Sequence, residues 1–296
     1  MLSLLILELS HLKLLMKIIS KINPHILMTR PLNLIITFFV VCVGAVISKD
    51  SSYELSEIFL AGVSAAFTAA AGNIVNDIID KDGDKINHPD RMIPSGRLTV
   101  KLAGIEYFFL LITACVISSF VSQLAFLIVF LTNVLLFLYS NRLKRIPLLG
   151  NITVAYLTGM AFIYGGVSVG HPIAAIIPAV FAFLINLIRE LIKDIQDMEG
   201  DGKAGIKTFP IKFGVDRTKY LISFLVIILI LSTIVPYAFN IYKIEFFVIV
   251  MIIVNPLLIY FLKILYQNDF KLNLNKLSNI LKLDMIFGLL AIFLGV

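Results

Sequence analysis

The sequence predicts an all-helical protein embedded in a membrane, a bundle of nine crossing helices. Three observations carry that expectation. The chain of 296 residues is 59% hydrophobic and only 15% charged, and its mean hydropathy of +0.97 is far above what a water-soluble domain tolerates. Apolar runs of about twenty residues recur along its length, the length a helix needs to span a bilayer. These runs are continuous, whereas barrel strands alternate over about ten residues, and backbone in lipid must otherwise satisfy its own hydrogen bonds as helix.

The first element expected is an interfacial helix over residues 4–22. There Lys13, Lys17 and Lys21 form one cationic stripe beside Leu and Ile, although a frayed tail would carry the same residues. Nine spans follow, at about 31–48, 56–77, 102–121, 124–140, 150–168, 172–193, 217–237, 244–265 and 278–295. No basic segment followed by a small-residue cleavage site marks a signal peptide at the N-terminus. No linker or composition shift divides the chain, so residues 1–296 read as a single domain, with 1–25 as its interfacial segment. Cys42 and Cys115 lie inside apolar runs and read as small core residues. Tyr must serve any interfacial belt, because Trp is absent.

With nine spans the loops alternate sides. All Lys and Arg except Lys49 and Lys243 then fall on the side that holds the N-terminus. The positive-inside rule makes that side cytoplasmic and puts the C-terminus outside.

One acidic octapeptide occurs twice on the cytoplasmic side. Residues 77–84 read DIIDKDGD and 194–201 read DIQDMEGD, after the second and sixth spans. The acids Asp77, Asp80 and Asp84, and again Asp194, Asp197 and Asp201, are spaced i, i+3, i+7. That spacing places each triad on one helix face. Gly83 and Gly200 precede the last acid, where a helix would naturally end. A single copy would pass as a solvated helix end. Two matched copies point to shared cation binding, since six uncompensated acids would repel one another. Mg2+ is typically held by a few carboxylates together with substrate phosphates, and two clusters facing each other would clamp a diphosphate. A calcium-binding loop fits less well: its Gly would be misplaced, and Arg91 stands where the closing Glu belongs.

Cations and amides flank the acids. Lys81, Lys85, Arg91 and Arg97 follow the first copy, Arg189, Lys193, Lys203 and Lys207 surround the second, Arg30 opens the first span, and Arg142, Lys144 and Arg145 follow the fourth. Much of this charge is topological. Arg189 is too deep in its span for that, and with Lys193 it suits a phosphate or the motif acids. Asn73 and Asn76 lie among small residues just before Asp77, able to ligate or simply to pack against a neighbouring helix. Tyr139 ends the fourth span and either belongs to the belt or faces the site. The four histidines are scattered and form no ligand pair. No nucleophile-elbow, Walker or dinucleotide fingerprint occurs, and nothing points to nucleic acid or an obligatory protein partner.

Together these motifs resemble the UbiA-type intramembrane prenyltransferases. The resemblance rests on Asn76-Asp77-x-x-Asp80-x-x-x-Asp84 and Asp194-x-x-Asp197-x-x-x-Asp201. It continues through Arg91-x-x-Pro94-x-Gly96, Tyr139 with Leu143-Lys144, and Gly205-x-x-Thr208-x-Pro210. It implies Mg2+ on the six acids and a polyprenyl diphosphate donor at the cytoplasmic mouth of a central cavity. Asn73, Asn76, Arg91, Lys144, Arg189 and Lys193 become candidates for binding substrate, and Tyr139 for stabilising the allylic cation. The runs LKRIPLLGNITVAYLTG and RELIKDIQDMEGDGKAGIKTFPI look most like archaeal members that build the second ether of a membrane lipid. The implied acceptor is then a lipid phosphate, geranylgeranylglyceryl phosphate. A family member with an aromatic acceptor is the alternative. An ion or phosphate transporter is the alternative from another class, and it would place its charges near the midplane.

Overall fold

A computed structural model describes residues 24–48, 54–203 and 205–296; the interfacial helix expected over 4–22 lies outside them. The described residues form helices and no strand, and each of the nine expected segments is helical. In chain order the helices are α1 Pro24–Met28, α2 Pro31–Ser48, α3 Leu55–Ile79, α4 Lys81–Asn87, α5 Val100–Val121, α6 Gln123–Asn141, α7 Leu149–Ser168, α8 Ile176–Lys203, α9 Phe209–Phe213, α10 Val215–Ala238, α11 Ile244–Ile249, α12 Asn255–Leu265 and α13 Leu274–Gly295. Among the described residues, eight stretches are long and apolar enough to cross a membrane, against nine expected. The difference is α7. It has 20 residues, but Asn151, Thr153, Thr158 and four glycines dilute its apolar character.

The chain divides into two compact units. The first comprises the described residues up to Phe39 together with Leu60–Asn141. Its core gathers Met28, Ile74, Met92, Leu98 and Ala103 under α1, α3 and α5. The side chain of Thr99 caps α5 by accepting from Leu102 N at 3.3 Å. A single residue, Ser122, joins α5 to α6, and its hydroxyl accepts from Ala125 N at 3.0 Å. Large apolar side chains such as Phe108, Phe109, Phe120 and Phe130 stand exposed on this pair, as lipid-facing residues should.

The second unit comprises Val40–Phe59 and Arg142–Val296. Its core runs along α8, where Ile188, Leu191 and Ile192 are wholly buried against Ile222, Leu258, Phe261 and Leu281. Helix α7 packs by closeness rather than bulk. A Cβ added at Gly159 would lie 2.8 Å from the Ala179 carbonyl oxygen, and one added at Gly165 would run into that of Val41. The hydroxyls of Thr153, Thr158 and Ser168 fold back onto carbonyls of the same helix. Between α11 and α12 the helix widens into a π-turn, Val250–Val254, immediately before Asn255-Pro256. The wider turn accommodates the proline ring and its missing N–H without ending the span.

Candidate active site

In the first unit, the acidic motif straddles the junction between α3 and α4. Helical hydrogen bonding continues across it: Asp80 N donates to the Asn76 carbonyl at 2.9 Å, and Asp84 N to the Asp80 carbonyl at 2.8 Å. Asp77 and Asp84 therefore stay on one side, and one guanidinium reaches both. Arg91 Nη1 lies 2.6 Å from Asp84 Oδ2 and 3.5 Å from Asp77 Oδ1. Arg30 completes the group, donating from Nη2 to Asp77 Oδ1 at 2.7 Å. Both carboxylates are only 5% exposed, so these charge-assisted bonds supply the compensation that buried acids need. Asp80 and Asn76 are half-buried beside them. Asn73 donates from Nδ2 to the Thr29 carbonyl at 2.8 Å, fastening the turn that carries Arg30. Tyr139 is half-buried in the last turn of α6.

In the second unit, the motif lies in the last turns of α8, which does not stop at Gly200 but continues to Lys203. Likewise Gly83 and Asp84 are inside α4, so neither glycine ends a helix as the sequence suggested. Near a helix end, the remaining turn of intrahelical bonds outweighs the modest entropic cost of one glycine. Asp194 accepts from Asn151 Nδ2 of α7 at 3.0 Å. Asp197 is exposed and Asp201 half-buried. Lys193 is exposed and acts electrostatically on both Asp194 and Asp201. Arg189 donates to Asn186 Oδ1 at 3.3 Å and lies 3.7 Å from Glu190, so its charge is matched within α8 itself. Lys144 occupies a one-turn 3-10 helix, Leu143–Arg145, ahead of α7.

Two contributors escaped the sequence reading. Asn151 went unnoticed as a partner of Asp194; its only signal was its position inside the LKRIPLLGN run. Arg30 appeared as one cation among many, and nothing local in the sequence pairs it with an acid 47 residues on. His25, one of the four scattered histidines, contacts Glu106 at 2.7 Å and ties α1 to α5.

The donor set suits Mg2+. Among the described residues no three carboxylates, cysteines or histidines gather around one point. Mg2+ ordinarily takes one or two carboxylates and completes its shell with waters and substrate phosphates. The Asp77–Asp84 pair and the Asp194 group each offer that many oxygens.

A helical membrane protein with paired aspartate motifs beside its apolar spans belongs to the class of intramembrane enzymes that handle diphosphates through metal. The family model described as the UbiA prenyltransferase family matches residues 37–283, and the chain belongs to that family. It is a prenyltransferase by family. It is 34% identical over 273 residues to the digeranylgeranylglyceryl phosphate synthase of Methanosphaera stadtmanae, covering 92% of this chain and 99% of that one. The synthase of Methanocaldococcus jannaschii is 32% identical over 280 residues, covering 93% and 97%. A solved structure of a digeranylgeranylglyceryl phosphate synthase aligns with a TM-score of 0.83 at 32% identity, over 93% of this chain and 98% of that one. A UbiA homologue from Archaeoglobus fulgidus, bound to GPP and Mg2+, shares the fold with a TM-score of 0.67 at 21% identity, over 92% of this chain and 100% of its own. The resemblance read from the motifs, and the all-helical fold it implied, are thereby borne out.

Proposed function

We propose that the chain transfers a geranylgeranyl group from geranylgeranyl diphosphate to the free hydroxyl of geranylgeranylglyceryl phosphate, a step of archaeal ether-lipid synthesis. The observation that carries this reading is its end-to-end likeness to digeranylgeranylglyceryl phosphate synthases, which covers both acidic motifs. Residues 1–296 act as one membrane-embedded catalytic domain, supported by a single family match running from 37 to 283.

The allylic C–O bond of the donor breaks heterolytically, and its electron pair leaves with the diphosphate. The acceptor oxygen attacks the allylic carbon to form the ether, and its proton passes to the departing diphosphate or to a motif carboxylate. Mg2+, which together with GPP is bound by the Archaeoglobus homologue, would supply Lewis-acid neutralisation of the leaving group. Asp77, Asp80 and Asp84 would hold metal in the first unit, and Asp194, Asp197 and Asp201 in the second. Arg91, Arg189, Lys193 and Lys144 orient the phosphates of donor and acceptor, with Asn76 placed to help. Tyr139 presents a ring face to the allylic cation. The apolar surroundings exclude water that would otherwise capture that cation. The active face is cytoplasmic, as is the N-terminus, and the C-terminus lies outside. The support is the distribution of Lys and Arg, with α7 crossing beside α8 as the remaining span.

The test is transfer of radiolabel from geranylgeranyl diphosphate by the full chain in nanodiscs, with either the glyceryl phosphate lipid or an aromatic acid as acceptor. Labelled digeranylgeranylglyceryl phosphate, formed only with Mg2+, is expected. Product on a hydroxybenzoate or naphthoate alone would overturn the acceptor. No transfer at all, with metal-dependent flux into vesicles, would overturn the enzyme reading in favour of a transporter.

A further inference from the structure

Two acids of the first motif, Asp77 and Asp84, are already paired with cations of the chain itself. Arg30 holds Asp77 at 2.7 Å, and Arg91 bridges Asp84 at 2.6 Å and Asp77 at 3.5 Å. The two sides of these pairs differ in freedom. The carboxylate side chains are 7% exposed, whereas Arg30 is 37% exposed and Arg91 31%. The acids are the enclosed partners, and each guanidinium keeps an open side.

The position of Arg30 is built rather than incidental. Its φ is +58°, a left-handed value uncommon for a residue with a side chain. It precedes Pro31, whose ring keeps α1 from running straight into α2. The turn is secured by Arg30 N donating to the Leu27 carbonyl at 3.1 Å and by Asn73 holding the Thr29 carbonyl. Asn73 lies one helical turn before Asp77, so α3 grips both the turn and the carboxylate that the turn serves.

We propose that Arg30 and Arg91 are internal stand-ins for the metal. They neutralise Asp77 and Asp84 before Mg2+ binds, compete with it for the same oxygens, and release those oxygens when an arriving diphosphate takes the guanidiniums. The inference rests on the metal-diphosphate reading above and adds a coupling to it. Metal alone binds against two guanidiniums and their three ion pairs, whereas metal with diphosphate only exchanges their partners. Each ligand therefore raises the affinity for the other by the same factor.

Mn2+ is the probe, with free Mn2+ measured by electron paramagnetic resonance on the detergent-solubilised full chain without diphosphate. Arg30→Gly removes the guanidinium and keeps a backbone that glycine adopts freely, so the turn is retained. Arg91→Gln removes the second cation. Each variant is expected to bind Mn2+ alone about fivefold or more tightly than the parent. Arg30→Lys, which keeps the charge, should stay near the parent. In the parent, a non-ionising thiolodiphosphate analogue of the donor should tighten Mn2+ binding, and Arg30→Gly should gain less from it. A merely structural arginine would lower the thermal midpoint and leave Mn2+ affinity unchanged or weaker; that result in both variants overturns the proposal while leaving the metal site intact. A parent chain that binds no Mn2+, with or without the analogue, overturns the metal reading and this inference together.

Discussion

Asp194 shows how much a single neutral amide can decide. Asn151 reaches it from α7 at 3.0 Å and fixes which oxygen stays free for a ligand. Losing a partner that orients a metal-binding carboxylate typically costs about 10–100-fold in metal affinity or activity. Asn151→Ala should therefore lower transfer about 10–100-fold at sub-saturating Mg2+, with part of the loss recovered by raising the metal concentration. A Mg2+ titration of the initial rate checks this. At this scale the sequence was only half legible. Aspartates at i, i+3 and i+7 announce a shared face because helical geometry is local, and Arg91 does bridge the first and last of one triad. Arg30 and Asn151 meet their acids across 47 and 43 residues, and no short-range pattern encodes a contact of that range.

Among the elements, α7 rests on backbone approach rather than on side-chain volume. Gly165 faces backbone atoms of Val41, Gly44 and Ala45, so an added methyl cannot be absorbed by a rotamer change. Gly165→Ala should destabilise the protein by about 1–3 kcal/mol through overpacking, seen as a lower thermal midpoint in detergent. Asp284 offers the opposite case. It lies within α13 at 2% exposure, and its Oδ1 has no hydrogen-bond partner among the described residues. A buried polar group without a partner is a net cost. Asp284→Leu should leave the thermal midpoint unchanged or raised, and a fall of several degrees would count against that accounting. Helix positions were readable from apolar runs, and each of the nine expected segments falls on helix. Helix ends were not: α8 runs ten residues past its expected limit of 193 because its last turns are polar, while hydropathy reports only the part that lipid surrounds.

For the whole molecule, charge asymmetry is the strongest statement about orientation. If the basic loops face the cytoplasm, a cysteine at Lys85 should be labelled by an impermeant maleimide only in inverted vesicles, and one at Lys243 only in right-side-out vesicles. Cys42 and Cys115 must first be replaced, since both are free thiols. Labelling of both positions from the same side would remove the proposed topology. The family and its reaction were legible because two octapeptides, 117 residues apart, repeat five of eight letters. The number of crossings was less so, because α7 gives up apolar residues for glycine, threonine and asparagine.

That trade has a consequence for how the protein is made. Its polar and small residues weaken the case for α7 to leave the translocon alone, because partitioning into lipid depends on apolar content. The surface it needs belongs to α8, which follows after a short connection that includes the four-residue 3-10 turn Pro172–Ala175. The two should enter the bilayer as one helical hairpin. A truncated nascent chain ending after α7 should stay accessible to protease, and one extended through α8 should become protected.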